Sequence, residues 1–163
     1  MDLGAFYRGD ATQRPFAQIS AERLLGEALG AALAQVPEFK QSLAQVDALV
    51  PVPLHPTRQR ERGYNQSEDI ARGLACQLGI PLYTDLLVRC YPTRQQAKLS
   101  VEARRQNMQH AFAVIRSVPS SQRLCLVDDV VTTGMTLEAC AQVLLKAGGQ
   151  VPWGAALSAP FLH

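Results

Sequence analysis

The sequence predicts an α/β domain with a central, mostly parallel sheet flanked by helices. Three observations lead there. Leu124-Cys125-Leu126-Val127 is a continuous apolar run, as expected of a parallel strand covered on both faces. After a polar turn containing Gly134, Leu137, Cys140, Ala141, Leu144 and Leu145 recur at helical spacing. Gly148-Gly149 then breaks the pattern, and residues 151–157 offer a last apolar strand. Strand, loop, helix, strand is a βαβ unit, whose two strands run parallel. A chain of 163 residues is long enough for one domain with a real core. We read residues 1–45 as an N-terminal helical segment and 46–163 as the α/β core of that single domain.

The remaining elements follow in order. Ser20 is placed to cap a helix whose apolar residues are Leu25, Ala28, Leu29, Ala32, Leu33 and Val36, with Pro37 as its stop. Residues 46–52 read as a short buried strand, ended by Pro51-Val52-Pro53 because proline cannot donate to a ladder. Residues 54–64 read as a basic loop. A second helix is expected over about 65–78, with Ile70, Leu74 and Leu78 on one face. Gly79 then Pro81 supply the usual order at a helix C-terminus. Short strands are expected at 86–91 and 112–115. Between them, residues 92–107 are polar and without a clear period, which predicts a long connection, and long connections in compact domains are commonly functional.

Composition excludes some functions. No apolar run reaches the roughly 20 residues that cross a bilayer, and the N-terminus lacks a signal-peptide pattern, so a cytoplasmic location is expected. A net charge of +2 gives no bulk attraction to nucleic acid. Thirteen of the sixteen basic residues are Arg, however, and two clusters stand out: Arg58, Arg60 and Arg62, then Arg94, Lys98, Arg104 and Arg105. A guanidinium matches phosphate oxygens with a planar fork, which makes an anionic ligand plausible. The four cysteines form no C-x-x-C pair and have no histidine at zinc-site spacing; they read as buried, inert thiols.

Chemistry concentrates in Leu126-Val127-Asp128-Asp129-Val130-Val131-Thr132-Thr133-Gly134-Met135-Thr136. The two carboxylates fall at the C-terminal end of a central strand, the edge where open parallel sheets bind ligands. The loop then enters a helix, whose first N–H groups and partial positive charge suit phosphate. Thr132, Thr133 and Thr136 add hydroxyl donors. Acids beside a phosphate cradle fit a ligand with hydroxyls in its middle and a phosphate at its end, and a phosphorylated ribose meets both demands. No P-loop and no dinucleotide fingerprint occurs in the chain.

That segment resembles the 5-phosphoribosyl-1-pyrophosphate (PRPP) motif of type I phosphoribosyltransferases. Two further stretches resemble the competence protein F family. One is Val50-Pro51-Val52-Pro53-Leu54-His55-Pro56 with Arg60-Glu61-Arg62-Gly63-Tyr64-Asn65-Gln66. The other is Gln96-Ala97-Lys98-Leu99-Ser100 followed by residues 104–107. The resemblance covers roughly residues 46–158. It departs from the family at Lys98, where Gly is common, and in lacking the family's usual four-cysteine zinc-binding start.

The resemblance implies a type I phosphoribosyltransferase fold and assigns the residues. Asp128 and Asp129 would take the ribose hydroxyls, and Thr132, Thr133, Gly134, Met135 and Thr136 the 5′-phosphate. His55, Arg58 and Arg62 would take pyrophosphate. The segment 94–107 would close over the reacting carbon and offers Arg104 and Arg105 as catalytic candidates. Mg²⁺ would arrive with PRPP, without a dedicated protein cage. Hypoxanthine-guanine transferases carry an Asp two residues before the motif glycine; here Thr132 stands there, so no general base is indicated. Tyr64 and Asn65 are read as packing and capping at a helix start.

Three functions are then in play. The first is transfer of phosphoribosyl from PRPP to a nitrogen nucleophile with release of pyrophosphate. The second is a non-catalytic PRPP module supporting DNA uptake beside a helicase-like partner. The third is direct binding of single-stranded DNA, which the Arg clusters favour but an aromatic content of 6% does not.

Overall fold

The computed structural model describes residues 16–90, 111–118 and 121–158. In chain order the elements are α1 (Phe16–Leu33), α2 (Pro37–Ser42), β1 (Ala48–Pro51), α3 (Pro56–Arg62), α4 (Gln66–Leu78), β2 (Leu87–Arg89), β3 (Phe112–Val114), β4 (Arg123–Val130), α5 (Met135–Lys146) and β5 (Gln150–Ser158). The expected connection 92–107, with Arg94, Lys98, Arg104 and Arg105, lies outside the described residues.

β4 is the central strand. It pairs in parallel with β1 on one side and with β5 on the other. Residues 81–83 extend the sheet past β1, where Leu49 N–H donates to Pro81 O at 2.8 Å and Tyr83 N–H to Leu49 O at 2.9 Å. All four residues of β1 are buried, as its uninterrupted apolar sequence predicts. β2 and β3 form a separate antiparallel pair, with Arg89 opposite Phe112.

Alternation along the strands sorts the core into two layers. Ala48, Val50, Leu124 and Leu126 face α5 and the β2–β3 pair. Leu49, Cys125, Val127 and Ala155 face α4 and the end of α1. Cys125 and Cys140 are fully buried, and burial pushes both thiols up, Cys125 to about 12. Cys76 and Cys90 are exposed, so the expectation of buried thiols holds for two of the four.

The N-terminal helix corrects the sequence reading. It starts before Ser20, which is therefore inside the helix and not its cap. Two leucines of its expected apolar stripe also face outward, Leu25 at 59% exposed and Leu29 at 41%, while Leu33 packs against the core and Val36 lies beyond the helix as the N-cap of α2. The buried positions on this stretch are Gly30 and Ala34. A Cβ on Gly30 would stand 2.1 Å from Ile70 O, and one on Gly73 of α4 would stand 2.0 Å from Glu27 O. The two helices approach so closely that only glycine fits at the crossing, and the bulky residues are left outside. α1 ends at Leu33, short of the expected stop at Pro37, which instead opens α2 as its N1 proline.

The expected basic loop at 54–64 is in fact helical at its centre. His55 caps α3, Pro56 takes N1, and Gly63 closes it with φ +78°. Propensity alone does not show seven residues as a helix, but proline at N1 and glycine at C′ do.

Candidate functional site

Parallel pairing on both sides carries β4 outward until its last residues, Asp128 to Val130, reach the C-terminal edge of the sheet. Asp128 is buried and Asp129 half-buried. Each acid spends one oxygen on the protein. Asp128 Oδ1 accepts the Asp129 N–H at 2.9 Å and the Ser67 hydroxyl at 3.1 Å. Asp129 Oδ1 accepts the Val130 N–H at 2.8 Å. No hydrogen bond from another described residue reaches the Oδ2 atom of either, and the two carboxyls lie near enough to share a hydrogen bond with each other.

Burial, and next the charge of Asp129, push the Asp128 carboxyl up to about 6; the Asp129 N–H and the Ser67 hydroxyl pull the other way.

The loop after β4 leads into α5 through Gly134, the helix N-cap, with φ +73°. Among the described residues, apart from its own chain neighbours and the adjoining helix backbone, no atom lies within 4 Å of where a Gly134 Cβ would sit. The glycine is therefore needed for its left-handed backbone rather than for a tight contact with the protein. Glu138 N–H is the first to bond within the helix, to Gly134 O at 2.9 Å. The N–H groups of Met135, Thr136 and Leu137 precede that bond, which is the arrangement that binds phosphate. Thr132 and Thr133 are exposed on the same loop and Thr136 is partly so.

The N-terminus of α4 meets this strand end. Asn65 caps α4, its side-chain oxygen accepting the Ser67 N–H at 3.2 Å, while its amide donates to Val52 O at 3.0 Å. Val52 N–H in turn donates to Val127 O at 2.8 Å. Tyr64 packs beside it, 6% exposed, and its hydroxyl donates to Glu22 Oε2 at 2.5 Å. Tyr64 and Asn65 thus take the packing and capping roles expected of them.

Of the residues assigned to pyrophosphate, His55 Nδ1 accepts the Thr57 N–H at 3.2 Å, which is the capping interaction of α3. Arg58 is exposed on α3, and Arg62 donates to Gln66 Oε1. Arg104 and Arg105 lie outside the described residues. Two residues at the site were missed by sequence reasoning. Ser67 reads as an ordinary N-terminal helix residue and gives no signal by itself. Arg89 does give one, being a charge at the end of the apolar stretch Leu86-Leu87-Val88. It is half-buried, with its guanidinium 5.3 Å from the Phe112 ring centroid. Burial holds it below the ordinary arginine range; the charge of Arg58 adds to that and Asp128 opposes it, which places Arg89 within electrostatic reach of both.

Among the described residues no three His, Cys, Asp or Glu side chains converge on a metal position, and no helix is long and apolar enough to cross a membrane.

No family model matches the chain. "Competence protein F" of Haemophilus influenzae is 41% identical over 104 residues, covering 63% of this chain and 45% of that protein. The chain spans under half the length of the curated relatives it matches. Among solved structures it is similar to the allosteric regulatory enzyme of purine biosynthesis, with a TM-score of 0.52 and 23% identity over 83% of this chain and 25% of that one. It is also similar to adenine phosphoribosyltransferase from Thermoanaerobacter pseudethanolicus, with a TM-score of 0.47 and 19% identity over 85% and 70%. Over the stretch that aligns, this chain is similar to competence protein F of Haemophilus influenzae, and its fold is the type I phosphoribosyltransferase fold.

Proposed function

We propose that this chain binds PRPP at the C-terminal end of β4 and acts as a phosphoribosyltransferase. One observation carries the reading: the adjacent carboxylates of Asp128 and Asp129, at the C-terminal edge of the sheet, lie a few residues before the N–H groups that open α5. The acids accept the ribose 2′- and 3′-hydroxyls. The 132–136 loop and the first turn of α5 hold the 5′-phosphate. Arg58 and Arg89 face the pyrophosphate end, where their charge offsets that of the leaving group.

Mg²⁺ fits this strand end as an ion carried in on ligand phosphates, and there it would neutralise part of the pyrophosphate charge. In the transfer, a nitrogen lone pair forms the bond to ribose C1 as the C1–oxygen bond breaks. The bonding electrons leave with pyrophosphate, and the surplus proton on nitrogen passes to water.

Calorimetry with PRPP and Mg²⁺ tests the binding, and a screen of nitrogen acceptors for pyrophosphate release tests the turnover. Micromolar to millimolar binding that ribose 5-phosphate reproduces only weakly is the expected result. Absence of binding at millimolar PRPP would overturn the reading. The words "competence" and "DNA utilization" in the relatives' names favour a second one, in which the same PRPP site serves a non-catalytic module in the handling of DNA; a helicase-like partner belongs to that proposal. Binding without pyrophosphate release, across a full set of acceptors, would select it.

A further inference from the structure

Four hydrogen bonds form a ring that starts on residue 127 and returns to residue 128. Val127 O accepts from Val52 N–H, and Val52 O accepts from the Asn65 amide. Asn65 Oδ1 accepts from Ser67 N–H, and the Ser67 hydroxyl donates to Asp128 Oδ1. The ring joins the ends of two parallel strands to the N-terminus of α4. Asn65 is 8% exposed and Ser67 3%, so its members are shielded from water, where such bonds are stronger and costlier to lose. Nothing in the packing of α4 needs a hydroxyl at position 67; Asn65 already caps the helix.

We infer that Ser67 is the positioning residue for Asp128: its hydroxyl holds Oδ1 and so fixes the carboxylate with Oδ2 left as the acceptor for a ligand diol. The inference deepens the PRPP reading and rests on it for the ligand, though not for the carboxylate. Other groups also act on Asp128. The charge of Asp129 beside it on β4 opposes ionisation, and Arg89 on β2 favours it. The Cys140 thiol on α5 is neutral and buried. Among the described residues, Ser67 alone is an uncharged donor side chain touching the Asp128 carboxylate, so its removal isolates the effect of one hydrogen bond.

The test compares wild type with Ser67→Ala, Ser67→Cys and Ser67→Thr. The Asp128 carboxyl is titrated by carbon-detected NMR with labelled aspartate, assigned with Asp128→Asn. Ser67→Ala should raise the titration midpoint by about one pH unit, the scale of a lost hydrogen bond to a charged group. Ser67→Cys keeps the volume with a weak donor and should fall between, and Ser67→Thr should restore the wild-type value. The acid limb of PRPP binding should move upward by the same amount. Folded Ala and Cys variants with an unmoved midpoint would overturn the inference. If wild type binds no PRPP, the ligand reading fails, while the titration still decides the role of Ser67. Should Ser67→Ala not fold, the Cys and Thr variants carry the comparison.

Discussion

Two parts of this molecule require glycine, and for opposite reasons. Where α1 crosses α4, Gly30 and Gly73 are there because a Cβ would strike a backbone oxygen about two ångströms away. Where β4 turns into α5, Gly134 has open space around it and is required by its φ of +73°. The first glycine serves the fold through a partner forty residues distant. The second serves a site whose parts are all consecutive in sequence. The same contrast separates two buried acids. Asp69, at the α1–α4 crossing, is paired with Arg23 at 3.3 Å, and burial raises its carboxyl. Asp128, at the strand end, accepts at one oxygen from an uncharged hydroxyl and a backbone N–H and has no cation paired with it among the described residues.

The largest expected effect breaks the crossing. Gly30→Ala or Gly73→Ala forces a methyl into a backbone carbonyl, which no rotamer can relieve. Each should cost about 3 kcal/mol, the upper part of the range for overpacking, read as a lower urea midpoint at unchanged slope. A loss under about 1 kcal/mol in both would mean the helices can separate without penalty.

Asp128→Asn sharpens the other side. Losing a charged acceptor at a diol should weaken PRPP about 10- to 150-fold. Stability should move the other way, with a defined pH window. The folded carboxyl, at about 6, lies above its ordinary 3.8. Its contribution to stability is therefore fully present below about pH 4 and lost as the pH rises through 6. Asn does not titrate, and its Oδ1 can still accept from Ser67 and Asp129. The variant should be more stable than wild type at pH 8 and lose that advantage between pH 6 and 4. Urea unfolding at pH 4, 5, 6 and 8 checks the sign; a variant less stable than wild type at pH 8 contradicts it.

Gly134→Ala should cost about 1–2 kcal/mol, the left-handed penalty alone, since there is room for the methyl. Gly134→Asn should cost less, because asparagine tolerates that conformation. The order Ala worse than Asn, by thermal or urea unfolding, identifies a conformational requirement. Equal losses would point to a steric one.

Sequence reading succeeded where the determinants are local. The run Leu124-Cys125-Leu126-Val127, the acid pair and the Thr-Thr-Gly-x-Thr loop each act through their immediate neighbours, so order along the chain is nearly order in space. The Asn65 and Gly79 caps of α4 were legible for the same reason. It failed where a distant partner decides. The Leu25 and Leu29 pattern predicts a buried face, because hydrophobicity is the usual marker of burial. At a glycine-mediated crossing, smallness is the marker instead. Ser67 was invisible because its function depends on Asp128, sixty-one positions later. Arg89 could have been noticed as a charge ending an apolar strand. α3 was hidden by its charged composition, although His55-Pro56 and Gly63 supply its start and stop.

The smallest expected effect is the most direct check on which face of α1 is buried. Leu25 and Leu29 are 59% and 41% exposed, so little of their apolar surface leaves water when this chain folds. Changing both to Gln keeps length, helix propensity and charge, and removes only hydrophobicity. The double variant should therefore stay within about 0.5 kcal/mol of wild type, as surface changes away from special features do. Gly30→Ala, the residue after Leu29 on the same helix, removes no apolar surface at all and should still unfold the protein far more readily. Urea midpoints of the two variants, measured side by side, make the comparison within one helix. If the Gln pair costs 2 kcal/mol or more and Gly30→Ala costs little, α1 is turned about its axis relative to this structure, with its leucines inward, and the close crossing with α4 does not exist in solution.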